Sequence, residues 1–155
     1  MKILIIGPSW VGDSVMAQTL YKRLKDEEPN CSIDVISPEW SLPLMQRMPE
    51  VSKAIISPYL HGDIQILSRY RFGKNLKKYK YDRAIILTNS LKSSLIPFFA
   101  DIPIRTGWLG ELRYFLLNDI RHLGKETNSL MVEKFAALSI QKNNFSLGNL
   151  TFPSL

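Results

Sequence analysis

Lys2-Ile3-Leu4-Ile5-Ile6-Gly7-Pro8-Ser9-Trp10-Val11-Gly12-Asp13-Ser14 stands at the start of the chain, and the fold assignment begins there. Ile3 to Ile6 is an unbroken apolar run dominated by β-branched residues, the pattern of a strand covered on both faces in a parallel sheet. Gly7-Pro8-Ser9-Trp10 ends the run as a turn. From Asp13 onward Val15, Met16, Leu20 and Leu24 recur at helical spacing, with Lys22, Arg23, Lys25 and Asp26 on the other side, until Pro29. Strand, loop and helix follow one another.

The same alternation continues. Ser32 to Ser37 reads as a second strand, Trp40 to Met48 as a short helix, Ala54 to Ser57 as a weaker strand, and Ile64 to Tyr79 as a covering helix weakened by Gly73. Ala84 to Leu87 is another buried strand. Asn89-Ser90 offers caps to a helix through Leu91, Leu95 and Phe98, which Pro97 shortens or kinks. Ile102 to Thr106 is a further strand, and Leu130 to Ile140 a late amphipathic helix. The expected architecture is α/β: a Rossmann-like three-layer sandwich with a mostly parallel, doubly wound sheet, whose ligands collect at the carboxyl ends of the strands.

Length and composition narrow the classes. A chain of 155 residues with 45% hydrophobic and 22% charged residues supports one core and is not disordered. Its apolar runs fall far short of the roughly 18 to 20 residues a spanning helix needs. No cleavage pattern follows the short apolar run after Lys2, so the mature chain is expected to start at Met1 and stay in the cytosol. Cys31 has no disulfide partner, and with only His61 and His122 beside it no zinc spacing exists, so no metal is expected. Twenty basic against 14 acidic residues give a net charge of +6, which favours an anionic partner: nucleic acid, a phosphorylated substrate or an acidic membrane face.

Three loops carry candidate chemistry. Gly7 to Ser14 approximates a phosphate-binding loop, but Asp13 stands where that loop needs its lysine, and a carboxylate repels phosphate. The dinucleotide fingerprint fails too, because no glycine follows Gly7 two positions on. An acid at the amino end of a helix remains. Asp13 is either an N-cap, favoured by the helix dipole, or a general base kept ionised by it, and the two roles can coexist. Trp10 is a packing residue or a platform at the loop lip. The second loop, Thr88-Asn89-Ser90-Leu91-Lys92-Ser93-Ser94, combines helix N–H groups, hydroxyls and Lys92 into an anion site, or is a capped helix with a solvated lysine. In the third, Arg105 and Arg113 flank Gly107 and Gly110 and suit bidentate recognition of carboxylate or phosphate, unless Glu111 simply pairs with one of them. The run Arg69, Arg71, Lys74, Lys77, Lys78 and Lys80 reads as a solvated helix face that could lie against an acidic surface.

Together, Ile5 to Asp13, Tyr81 to Ile85, Asn89 to Ser93, Pro97 to Ala100, Arg105 to Trp108 and Leu116 to Asp119 resemble, in order, the amino-terminal half of the lipopolysaccharide heptosyltransferases, glycosyltransferase family 9. The resemblance implies the N-terminal half of a GT-B glycosyltransferase, with an acceptor-binding domain over residues 1–140 and the start of an interdomain linker over 141–155. It implies inverting transfer of heptose from ADP-heptose (ADP-L-glycero-D-manno-heptose) to the lipopolysaccharide inner core, with no cofactor or essential metal. The donor would be bound by an absent C-terminal domain, leaving this chain alone inactive. Asp13 would be the catalytic base. Ser9, Trp10, Gly12, Asn89, Ser90, Lys92, Ser93, Arg105 and Arg113 would bind the anionic acceptor, heptosyl-Kdo-lipid A. The enzyme would be cytoplasmic and peripheral at the inner leaflet of the inner membrane of a Gram-negative bacterium, with no nucleic-acid partner. Replacing Lys92 or Arg113 by Ala is expected to weaken acceptor binding and spare the fold.

The rival is a basic Rossmann-like module that holds a nucleotide or nucleic acid without chemistry and tolerates Asp13→Asn. A phosphorylatable receiver domain is excluded, since it needs an acidic pair after the first strand, where Ile6, Gly7 and Pro8 stand.

Overall fold

The computed structural model describes residues 1–60, 62–111, 113–122, 130–139 and 153–154. Six strands form one sheet: β1 (Lys2–Ile6), β2 (Ser32–Ser37), β3 (Lys53–Ile56), β4 (Arg83–Ile86), β5 (Ile104–Trp108) and β6 (Asp119–Arg121). Their spatial order is β3-β2-β1-β4-β5-β6 and every pairing is parallel, so the sheet is doubly wound with its switch point between β1 and β4. Helices α1 (Val11–Glu27), α2 (Leu42–Arg47), α3 (Ile66–Leu76), α4 (Leu91–Phe99) and α5 (Met131–Ala137) complete the described elements, with short 3-10 turns at Glu39–Ser41 and Lys77–Tyr79.

The apolar runs of β1 and β4 have the predicted cause. Ile3, Ile5, Ile33, Val35 and Ile85 pack with Leu20, Tyr21 and Leu24 of α1, Met45 of α2 and Phe135 of α5. The alternate residues Leu4, Ile6, Ile36, Ala84 and Ile86 pack with Leu76 of α3 and Ile96 of α4 on the opposite face. Each large side chain so buried contributes about 1.5–3 kcal/mol. Gly73 is a close-approach residue: a Cβ there would lie 2.7 Å from Phe99 Cβ and 2.8 Å from the Ile96 carbonyl oxygen, so α3 and α4 pack only without one.

The structure departs from expectation at several places. β6 is not among the expected strands, because three residues carry too little periodicity. Asp13 is not an N-cap: Trp10 holds that position with no side-chain cap, and Asp13 sits in the first turn. Pro97 agrees with expectation: it lies inside α4, which is short, with nine residues ending at Phe99. Of the expected linker, only Pro153 and Ser154 are described; the Ser154 N–H donates to Gln18 Oε1 on α1 at 2.9 Å. His61, Leu112, Ile140 and 141–152 lie outside the described residues.

A buried ionic network fixes the β4–β5–β6 edge. Arg83, 7% exposed, donates from Nε to Thr106 Oγ1 (3.1 Å) and from its terminal nitrogens to the Leu138 and Ser139 carbonyls, holding the end of α5. Asp119 accepts from Thr106 Oγ1 and, with both oxygens, from Arg121. Burial alone would raise the Asp119 pKa, but the Arg121 and Thr106 hydrogen bonds and the Arg121 and Arg83 charges outweigh it and bring the pKa below the ordinary carboxylate value. A carboxylate with a lowered folded pKa stabilises above its unfolded value of about 3.9 and loses that contribution as pH falls through the folded pKa. Asp119→Asn is therefore expected to cost about 2–3 kcal/mol at neutral pH. Urea denaturation should show the gap to the wild type closing below about pH 4; a gap independent of pH would refute the charge-based account.

Candidate active site

A cavity of about 530 Å³ opens over the carboxyl ends of the strands, where the turns after β1, β2, β3 and β4 converge. Gly7 lets the first turn pass close to β2: its N–H donates to the Ile36 carbonyl at 2.9 Å, and a Cβ there would meet that same oxygen at 2.9 Å. The turn delivers Ser9, Trp10 and Asp13 to the rim, and Trp40 steadies it by donating its indole N–H to the Ser9 carbonyl at 3.0 Å. Ser14 faces the helix instead; it is fully buried with its hydroxyl on the Trp10 carbonyl, so it is no phosphate ligand.

Asp13 is half-buried and faces the cavity, and among the described residues its carboxylate has no hydrogen-bond or ion-pair partner. It stands at the switch point, in the first turn of α1, where the helix dipole favours the anion. An ionised carboxylate with open lone pairs in a cleft can accept a proton from a bound hydroxyl.

The second loop brings Asn89, Ser90, Lys92 and Ser93 to the same cavity. Ser90 caps α4 by accepting from the Ser93 N–H. The Leu91 N–H donates to Glu111 Oε2 at 2.6 Å, so Glu111 sits at the α4 amino end and forms no ion pair with either arginine within the described residues. Lys92 lines the cavity with its ammonium in none of the described hydrogen bonds.

Three placements correct the sequence-based expectations. Gly12 is exposed and does not line the cavity. Arg105 lies away from it: its guanidinium donates to the Leu116 and Ile102 carbonyls at 2.7 Å each and packs on the Phe98 ring. Arg113 is fully buried, and one terminal nitrogen donates to the Thr88 carbonyl (2.8 Å), the Ser90 carbonyl (3.1 Å) and Ser94 Oγ (2.9 Å) while the other donates to the Trp108 carbonyl (2.6 Å). Burial pushes its pKa down to about 10. Arg113 is thus a strut tying the turn after β4 to β5, so Arg113→Ala is expected to cost stability rather than spare the fold.

Other cavity residues escaped the sequence reading. Arg69, assigned to a solvated face, is 5% exposed; it stacks 4.0 Å from the Tyr59 ring centroid and donates to the Asp63, Ile64 and Lys92 carbonyls. Ser37, Thr88 and Trp108 also line the cavity, and Ser37 Oγ, Thr88 Oγ1 and Trp108 Nε1 are buried behind its surface without partners among the described residues. Their signal was positional: each stands at or just after a strand's carboxyl end. Among the described residues no cluster of three His, Cys, Asp or Glu side chains is placed to hold a metal ion.

A doubly wound parallel sheet with an available carboxylate at its switch point, beside a wall of hydroxyl, amide and ammonium groups, defines a class of α/β domain suited to binding a polyhydroxylated ligand. The family model described as glycosyltransferase family 9 (heptosyltransferase) matches residues 69–152, and the chain belongs to that family. It is 56% identical over 142 residues to lipopolysaccharide heptosyltransferase 2 of Salmonella typhimurium and 55% identical over 142 residues to that of Escherichia coli. Each match covers 92% of this chain and 41% of the relative, so the chain spans about two-fifths of their length. The structure of Escherichia coli ADP-heptose lps heptosyltransferase II matches with a TM-score of 0.91 and 48% identity, over 100% of this chain and 46% of that one. The Rossmann-like architecture thus corresponds to the N-terminal portion of a GT-B heptosyltransferase.

Proposed function

We propose that this chain forms the acceptor side of an inverting heptosyltransferase acting on the lipopolysaccharide inner core. One observation carries the proposal: the Asp13 carboxylate faces an open cavity with no partner among the described residues. The acceptor saccharide lies between the Ser9–Trp10 rim and the Asn89–Ser93 wall. Asp13 takes the proton of the acceptor hydroxyl as that oxygen attacks the anomeric carbon of ADP-heptose, the C–O bond to the ADP phosphate breaks, and ADP leaves with its electron pair. The donor belongs to a second domain across the cleft, to which none of the described elements contributes. Lys92 meets an acidic group of the acceptor. The lipid end of the acceptor places the protein at the inner leaflet as a peripheral enzyme; no helix among the described residues is long and apolar enough to cross a membrane.

All three tryptophans of the chain, Trp10, Trp40 and Trp108, line this cavity. Tryptophan emission, excited selectively over the six tyrosines, therefore reports on it. Titration with a delipidated heptosyl-Kdo saccharide should give a saturating change, and Lys92→Ala should raise the apparent Kd about tenfold through loss of a charge-assisted contact. A flat titration, or a Kd indifferent to Lys92, counts against the assignment.

A further inference from the structure

Residues 58–80 hold a large share of the exposed apolar surface and most of the excess charge. Leu60, Ile64, Ile66 and Leu67 are 65%, 60%, 57% and 64% exposed, and Tyr70 is 42% exposed. Within the same stretch Asp63 stands against Arg69, Arg71, Lys74, Lys77, Lys78 and Lys80, so it carries five of the chain's six net positive charges. Asp63 is engaged inside its own loop, accepting from the Leu60 N–H and from Gln65. Asp101 faces the group from the neighbouring element, against Lys74 and Lys77; Arg71, Lys78 and Lys80 form no ion pair among the described residues.

Helix α3 explains the arrangement. Arg69, Gly73 and Leu76 make its buried side. Leu67, Tyr70, Arg71 and Lys74, three and four residues apart, make the outward stripe, apolar toward the helix start and cationic beyond it. Tyr70 continues into an aromatic strip with Phe99 (ring centroids 5.2 Å apart) and Phe98 (5.7 Å from Phe99), flanked by Lys74 and Arg105. The segment is pinned to the cavity rim, since Leu60 and Arg69 both line the cavity and Arg69 bonds the Asp63 and Ile64 carbonyls on one side and the Lys92 carbonyl on the other.

The composition identifies the occupant. Protein–protein interfaces are depleted in lysine, whereas exposed aliphatic and aromatic side chains interleaved with Lys and Arg match the boundary between lipid headgroups and acyl chains. We propose that Leu60 and residues 62–74 form the membrane-docking edge of the protein. Leu60, Ile64, Ile66 and Leu67 enter the interfacial layer of an anionic bilayer, and Arg71 and Lys74 meet its phosphates. The cavity then opens at the bilayer surface. That last consequence rests on the lipid-linked acceptor proposed above; the docking itself does not.

The test is co-sedimentation of the full chain with vesicles of phosphatidylethanolamine and phosphatidylglycerol, and with vesicles of phosphatidylcholine. The wild type should partition onto the anionic vesicles and not onto the neutral ones. The double variants Ile66→Ser/Leu67→Ser and Arg71→Gln/Lys74→Gln should each lower partitioning about tenfold, with circular dichroism and Tm unchanged because these side chains are exposed. Failure of the wild type to bind, equal binding to neutral vesicles, or an Ile66→Ser/Leu67→Ser chain that binds like the wild type would overturn the proposal, the last by leaving adsorption without insertion. Both variants should keep the wild-type tryptophan response to delipidated saccharide. Vesicle binding without any saccharide response would sink the acceptor assignment and leave the docking edge standing; a saccharide response without vesicle binding would do the reverse.

Discussion

Asp13→Asn, tested in a fusion of this chain to the C-terminal portion of the Escherichia coli relative, is expected under the proposed function to lower kcat for heptose transfer by about 10²- to 10⁴-fold, the usual worth of a positioned general base. Asparagine keeps the size and shape of the carboxylate but cannot accept the proton. Acceptor binding should change little, because the wall formed by Asn89, Ser90, Lys92 and Ser93 is untouched. The fold should hold as well, since Asp13 makes no side-chain hydrogen bond among the described residues that the amide would break. The expected signature is a fall in kcat with KM nearly unchanged. Equal turnover by the Asp13→Asn variant and the wild type would reduce Asp13 to a favourable charge at a helix end, which contributes about 0.3–1 kcal/mol to stability and nothing to chemistry. The rival binding module makes that opposite prediction.

Arg113→Ala should cost about 3–5 kcal/mol of stability. The substitution strips the Thr88, Ser90 and Trp108 carbonyls and the Ser94 hydroxyl of one shared donor group and leaves a cavity where a fully buried side chain stood. For a chain of this length the drop corresponds to about 6–20 °C in Tm. Arg113→Lys should recover only part of the loss, because one ammonium cannot reproduce the planar fork that spans β4 and β5. Lys92→Ala, by contrast, should leave Tm within the small range of surface substitutions. If Arg113→Ala melted like the wild type while weakening saccharide binding, Arg113 would be a ligand contact after all and the strut assignment would fail.

The contrast between these arginines and Asp13 shows how far residues alone could be interpreted. Gly7 and Asp13 were legible because a β-to-α turn in a parallel sheet places its residues at the carboxyl edge, whatever packs elsewhere. Arg69, Arg105 and Arg113 were not, because a guanidinium serves equally as a ligand, a solvated charge or a cross-link between carbonyls. Only the positions of those carbonyls decide, and for Arg113 they come from the turn after β4 and from β5, up to 25 residues away in the chain. Glu111 is similar: its carboxylate could have met an arginine, yet the Leu91 N–H, 20 residues earlier, claims it.

The alternation of apolar runs with amphipathic stretches determined by itself that this chain builds a parallel α/β sheet, and the Gly7–Ser14 segment determined that an acid rather than a lysine stands at its first turn. Those features are local: side-chain period and turn chemistry depend on neighbours a few positions away. Tertiary structure alone decided which polar groups are spent on the fold and which are left for a ligand. Hydrogen bonds are satisfied between segments distant in sequence, so burial and competition for partners, as with Arg113 in the interior and Asp13 at the open rim, exist only once the chain has closed on itself.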